Sequence, residues 1–434
     1  MVVDVLLYIL GILVVLLGIA LSIGLHEVGH LVPAKVFGLK VKQYMIGFGP
    51  TVFSRRRGDT EYGLKAFPLG GYILMEGMYP PESKPYRGPF SKWISEARAE
   101  VRKELDPADE NRQFYKLATW KKLTIMLGGP VMNFVLGLVL IIASLTGIGQ
   151  MQNSMTINQV YQCIDASADG SCPAGAPISP AALAGMEPGD EVVSVNSQAV
   201  MNWNEAVEIL GRNPGASSEL TVLRDGALVN LTITPVFMER QVFDSQGVAL
   251  TDANGLPVTE LRPIIGVQLL PTQQPVPIWD AAGFALGATG AMLAFILELP
   301  QQVYAVAQSI FGFTERDPNG AVSILGVGQL AGEVSSANVP VDARLASLLL
   351  LIGTLNLALF AFNLIPLLPL DGGHVLGALY EGAKRRVSKL VLGKDPGPID
   401  TAKALPIAYA VWVLLLFTGL LLIFADIVNP IGLI

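Results

Sequence analysis

The stretch Ser22-Ile23-Gly24-Leu25-His26-Glu27-Val28-Gly29-His30-Leu31 sets two imidazoles and a carboxylate inside an otherwise apolar run. The run covers residues 5–32, long enough for a helix to cross a bilayer. It carries Asp4 but no Lys or Arg ahead of it, has no small-residue cleavage site, and passes directly into the histidines. A retained transmembrane helix is therefore expected, not a secretory signal. On a helix, His26 and His30 share one face, the spacing at which two imidazoles hold one tetrahedral zinc. Glu27 lies beside them, off the ligand direction, where a carboxylate can take a proton from an activated water and pass it to a leaving amine. The plainer alternative is a pair of satisfied core histidines. It is weakened by the glutamate between them, because ionisable groups at membrane depth usually mark function.

The chain has three histidines. The last closes Asn363-Leu364-Ile365-Pro366-Leu367-Leu368-Pro369-Leu370-Asp371-Gly372-Gly373-His374, again within apolar sequence. A catalytic zinc needs a third protein ligand and one open position, and Asp371 is the candidate. Pro366 and Pro369 should break the helix, and Gly372 and Gly373 allow backbone to approach closely. Asp371 capping a helix over 372–383 is the structural alternative, and both roles are compatible. His374 reads as a partner of the ligands or a helix-start residue.

The whole sequence fits this membrane setting. Its 434 residues are 51% hydrophobic and 15% charged, too apolar for an ordinary soluble protein. A net charge of -7, with no basic patch interleaved with aromatics, gives no sign of nucleic acid. Apolar segments at 5–32, 122–148, 345–368 and 406–428 are expected to span. The segment 278–312, interrupted by Glu298 and Pro300, is expected to lie on the membrane surface. Lys35, Lys40, Lys42, Arg55, Arg56, Arg57, Lys65, Lys121 and Lys122 follow the first span. Lys384, Arg385, Arg386, Lys389, Lys394 and Lys403 precede the last. Four spans put both groups in the cytoplasm, whereas a fifth puts one on the wrong side.

Between these spans the expected parts are a first transmembrane helix at 1–35, a β-hairpin region with an amphipathic helix at 36–118, and a second span at 119–150. A soluble domain follows at 155–270, then a membrane-associated segment at 276–344 and a third span at 345–383. A cytoplasmic loop at 384–405 and a fourth span at 406–430 complete the chain. The alternation over 40–76, punctuated by Gly49-Pro50, Arg57-Gly58-Asp59 and Gly70-Gly71, predicts a small antiparallel sheet. Such a sheet must rest on protein or line a cavity, because bare strand edges cannot face lipid. A solvated helix is expected over 90–105. In the soluble domain a short helix near 179, a strand to Asn196, a helix at 203–211 and strands at 219–224 and 228–234 are expected. Asp225-Gly226 supplies the hairpin turn, and a polar excursion over 238–260 precedes Ile264-Ile265-Gly266-Val267. Cys163 and Cys172 are either a local disulfide or two free thiols.

Taken together, HEVGH, Gly129-Pro130-Val131-Met132-Asn133-Phe134 and NLIPLLPLDGGH resemble the site-2 protease family, and within it the bacterial RseP-like regulated intramembrane zinc proteases. The stretch 179–196 resembles the core of bacterial PDZ domains. The resemblance implies a multi-pass α-helical membrane protein with four transmembrane helices, a membrane-associated β-hairpin sheet and one inserted extracytoplasmic α+β PDZ domain. It implies Zn2+ on His26, His30 and Asp371, with Glu27 as general base. Gly47-Phe48-Gly49 and Gly70-Gly71-Tyr72 match a membrane-reentrant hairpin that offers a strand edge to unwound substrate. Asn363 matches a position for substrate handling, and Asn133 one that supports the core helices. The implied substrates are single-pass membrane proteins, namely anti-sigma factors in a stress response or signal-peptide remnants, cleaved after an ectodomain cut. The implied location is the bacterial inner membrane, in contact with lipid, with the PDZ domain outside, where it binds a peptide or filters by size. Two other classes remain open on the residues alone: a catalytically silent scaffold whose PDZ domain binds tails, and a metal transporter. The scaffold has no need of intramembrane ligands, and the transporter calls for further polar groups along a path.

Overall fold

The computed structural model describes residues 2–81, 90–103, 107–164, 171–242, 250, 256–317 and 320–431. Two compact units result: Gln150–Gln274, and the remainder, Met1–Gly149 with Pro275–Ile434.

The larger unit opens with α1, Val2–Val36. Two strands follow, β1 (Val41–Arg57) and β2 (Thr60–Met75), joined at Gly58-Asp59. Both strands double back. Residues 43–46 pair with 71–74 on one side and with 61–64 on the other, and 51–57 pair outside 60–65. Gly47, Gly49 and Gly70 have positive φ at these bends, a conformation that a side chain would strain. Helix α2, Ser91–Lys103, is not simply solvated: Ile94 is buried and Arg98 pairs with Asp400. The expected helix end at 104–105 lies outside the described residues. Helix α3, Thr119–Ala143, follows.

Beyond the smaller unit come α6 (Ile278–Ile310), α7 (Ile324–Ser336), α8 (Val341–Asn363), α9 (Asp371–Leu392) and α10 (Leu405–Val428). Among the described residues, five helices are long and apolar enough to cross a membrane, α6 among them. Glu298 and Pro300 do not interrupt α6. Helix α9 runs on through Leu392, so Lys384, Arg385, Arg386 and Lys389 are helical where a loop was expected. Residues of high helix propensity carry it to Gly393, whose φ of 66° ends it. Helix α8 stops at Asn363, so the spanning helix is shorter than the segment 345–368.

The smaller unit contains β3 (Gln150–Val160), α4 (Pro180–Leu183), β4 (Glu191–Val195), β5 (Gln198–Ala199) and α5 (Trp203–Gly211). It continues with β6 (Ser218–Arg224), β7 (Ala227–Ile233), β8 (Val236–Gln241), β9 (Thr259–Ile264) and β10 (Val267–Gln274). The main sheet runs β10-β3-β4-β6-β7, and β8 pairs with β9. The flanks of the expected excursion at 238–260 are therefore strands; 243–249 and 251–255 lie outside the described residues. Cys163 and Cys172 form a disulfide.

Asp190 is fully buried in this unit and takes hydrogen bonds from Arg224 Nε and Nη2, both at 2.7 Å, and from the Glu187 amide at 2.9 Å. Burial pushes the Asp190 carboxyl up; the Arg224 bonds and the amide outweigh it and hold it below its ordinary 3.8. The stabilisation is therefore complete above about pH 4 and is lost as pH falls through the lowered value. Arg224→Ala should destabilise this unit by about 2 kcal/mol at neutral pH, less than a fully enclosed pair because Arg224 is partly exposed. Hydrogen exchange of β4 and β6 in the full-length protein should show the gap from wild type closing below about pH 4. An equal gap at pH 3 and pH 7 would contradict the assignment.

Candidate metal centre

Three helices converge on one point. Helix α1 crosses α3 at glycines: a Cβ on Gly29 would lie 2.2 Å from the Gly128 carbonyl oxygen, and one on Gly128 would lie 2.0 Å from that of Gly29. This close crossing brings the Ile125 carbonyl to 2.7 Å from His30 Nδ1. That contact requires the ring proton on Nδ1 and leaves the Nε2 lone pair free.

The residues before α9 fold tightly onto its start. A Cβ on Gly372 would lie 2.4 Å from the Ile365 carbonyl oxygen, and one on Gly373 would lie 2.4 Å from the Leu368 amide nitrogen. Glycine at both positions is therefore a packing requirement. Leu370, not Asp371, is the N-cap residue, and no side-chain cap bond forms. Asp371 is the first helical residue, and its carboxylate turns to the histidines.

His26 Nε2 and His30 Nε2 are 3.2 Å apart, and Asp371 Oδ2 lies 3.2 Å from the first and 3.4 Å from the second. Tetrahedral ligands with bonds of about 2.0–2.1 Å stand about 3.3 Å apart. His26, His30 and Asp371 thus fit a single zinc, with the fourth position left to a water or substrate. With the His26 ring proton on Nδ1, as on His30, three electron pairs face one another in a buried space, an arrangement that a cation between them satisfies. A Cβ on Gly129 would lie 2.2 Å from His30 Nε2 and 2.7 Å from His26 Nε2, so glycine on α3 keeps this space open.

Glu27 is buried next to the cluster and interacts electrostatically with His26, His30 and Asp371. Strand β2 passes over it: a Cβ on Gly71 would lie 3.1 Å from Glu27 Cγ and 3.0 Å from Ile23. Tyr44 Oη donates to the Gly24 carbonyl at 2.8 Å, fastening β1 to the same turn of α1. Of the hairpin residues singled out by sequence, Gly71 therefore adjoins the cluster. Phe48 stacks with Tyr72 and is half exposed, and Val52, Phe53 and Phe67 are more exposed still. Gly47, Gly49 and Gly70 shape the bends. Asn133 is buried one turn beyond Gly129 on α3, and its Oδ1 has no hydrogen-bond partner among the described residues. Asn363 ends α8 and is not among the converging ligands. His374, three residues beyond Asp371, lines two cavities and supplies no ligand atom to the cluster.

Sequence reading passed over the supporting contacts. Gly128-Gly129 in an apolar helix is a signal for close helix approach. Asn356, fully buried on α8, donates to Ser22 Oγ at 2.9 Å, one turn before His26; a polar residue inside a spanning helix was the signal available there.

Over residues 14–392 the chain matches the family described as Peptidase family M50. It shares 33% identity over 439 residues with the zinc metalloprotease Rip1 of Mycobacterium tuberculosis, covering 98% of this chain and 99% of the relative. Rip1 of Mycolicibacterium smegmatis is 32% identical, covering 98% of each chain. The metalloprotease MmpA of Caulobacter vibrioides is 27% identical, covering 85% of each.

Proposed function

The chain belongs to peptidase family M50 and is a zinc metallopeptidase of the membrane, and we propose that it hydrolyses a peptide bond within the transmembrane segment of single-pass proteins. The observation that carries this reading is the convergence of His26, His30 and Asp371 beside buried Glu27, in a helix apolar enough to span. His26 and His30, through Nε2, and Asp371, through a carboxylate oxygen, would hold the zinc. Bound zinc supplies Lewis acidity toward a water and toward the scissile carbonyl. The Ile125 carbonyl fixes the His30 ring and its tautomer. Glu27 takes a proton from the attacking water and delivers it to the leaving nitrogen.

A helical substrate hides its carbonyls in its own hydrogen bonds, so it must unwind before attack. The pass 71–75 of β2 pairs with β1 on one side and reaches Glu27 at Gly71. Its other edge offers backbone partners to an unwound segment. Exposed Phe48, Val52, Phe53 and Phe67 suit a hairpin dipping into the bilayer. Asn363 is assigned to substrate handling and Asn133 to support of the helix core.

Charge favours four spans, with α6 on the membrane surface and both basic segments in the cytoplasm. The smaller unit is then an extracytoplasmic PDZ-type domain, and its disulfide suits an oxidising compartment. In the inner membrane such a domain admits substrates already trimmed by an earlier cut, among which anti-sigma factors and signal-peptide remnants are the natural classes. The test is cleavage of a trimmed single-pass substrate by purified protein. Cleavage should cease on chelation and return with stoichiometric zinc; turnover indifferent to chelation would contradict the reading.

A further inference from the structure

The larger unit contains a cavity of about 350 Å3 that reaches His374, three residues beyond Asp371. Tyr79, Leu368, Pro369, His374, Ala408 and Trp412 line it. Two of its walls belong to the cluster's own supports. Leu368 and Pro369 lie in the segment that folds onto Gly373, and His374 follows Asp371 by three residues on α9. Residues three apart on a helix have Cβ atoms about 5–6 Å apart. An extended peptide advances about 3.3 Å per residue. One or two residues of extended peptide therefore cover the separation between Asp371 and His374 on α9.

Helix α10 supplies the facing wall through Ala408 and Trp412. The lining is aliphatic and aromatic, with polar tips on Tyr79, Tyr409, Trp412 and His374. Behind His374 lies a second, far smaller space of about 20 Å3. It is closed by the buried Lys122–Glu381 pair, in which Nζ lies 2.7 Å and 2.9 Å from the two carboxylate oxygens. Glu381 also accepts from the Ile399 amide at 3.1 Å. The charges behind the cavity are thus already satisfied, and the cavity has no use for a charged guest.

Resting on the intramembrane peptidase reading above, we infer that this cavity is a specificity pocket that receives one large apolar or aromatic substrate side chain flanking the scissile bond. Ala408 sets its depth and Trp412 its width. A pocket of this kind discriminates by removing apolar surface from water or lipid headgroups and by filling space, and the difference between a large and a small guest is typically one to two orders of magnitude.

The test uses the full-length detergent-solubilised protein with its zinc, and single-pass substrates carrying Ala, Leu, Phe or Trp at each position around the cleaved bond. The readout is the ratio of kcat/KM for Phe over Ala at each position. In wild type the ratio should exceed tenfold at one flanking position. Ala408→Trp, which fills the cavity, should lower that ratio at least tenfold at that position and not at others. Trp412→Ala, which widens it, should move the preference from Phe to Trp. Absence of any position-specific preference in wild type overturns the inference. So does an unchanged ratio in both variants. A uniform loss of rate in both variants, independent of the substrate residue, means that the cavity holds a lipid chain or serves packing, and also overturns it. Failure of the peptidase reading looks different: wild type with zinc bound would cleave none of the substrates.

Discussion

Glu27→Gln should lower cleavage by at least about a hundredfold while leaving zinc at one equivalent and the fold intact, in line with the range of about 10²–10⁴ for a lost general base. Glutamine keeps the shape of the side chain and its place beneath Gly71, where a Cβ would stand 3.1 Å from Glu27 Cγ. It cannot accept the proton of the attacking water. Neither the His26–His30–Asp371 triangle nor the Ile125 contact passes through Glu27, so the ligands are undisturbed. The measurement pairs metal analysis with turnover of a trimmed substrate. Normal turnover by Glu27→Gln would remove Glu27 from the chemistry. Loss of zinc in this variant would instead make Glu27 a structural support of the ligands.

Gly129→Ala should abolish zinc binding without unfolding the protein. The added methyl carbon would lie 2.2 Å from His30 Nε2 and 2.7 Å from His26 Nε2, closer than non-bonded atoms approach. Relief by separating the helices would pull apart the close packing of α1 on α3 at Gly29 and Gly128. Relief by rotating the His30 ring requires breaking its 2.7 Å bond to Ile125. Alanine is the better helix former by about 1 kcal/mol, so helix propensity works in favour of the variant's fold. Metal analysis of purified Gly129→Ala should give close to no zinc, with activity lost in parallel and the protein still folded. A full equivalent of zinc with normal cleavage would show that the space facing Gly129 is not the metal position.

Much of the candidate metal cluster was legible because its chemistry is local. His26 and His30 share a helix face by spacing alone, and Pro366, Pro369, Gly372 and Gly373 announce a broken helix with backbone close by. Bringing Asp371 to 3.2 Å from His26 is a tertiary event; the need of a catalytic zinc for a third ligand, and then a resemblance between motifs, pointed to it. The supporting contacts were less legible. Gly29 meeting Gly128, and Gly71 covering Glu27, depend on which faces of distant segments meet, and one sequence does not carry that. Charge misled at α9, where Lys384, Arg385, Arg386 and Lys389 read as a loop; Arg385 pairs with Asp395 at 2.7 Å, and the helix persists to Leu392. Helix α7 escaped notice because its thirteen residues, rich in Gly, Ala and Ser, lack a sharp apolar period. The strands β8 and β9 flank a polar stretch whose composition suggested a loop throughout.

The central claim is that zinc held by His26, His30 and Asp371 serves hydrolysis within the membrane. Its most direct test is mass-spectrometric mapping of the bond cut in a trimmed single-pass substrate by purified protein. One zinc-dependent cut inside the substrate's apolar segment, absent after chelation, is the expected result. A cut confined to the flanking soluble residues, or one that survives removal of zinc, would contradict it.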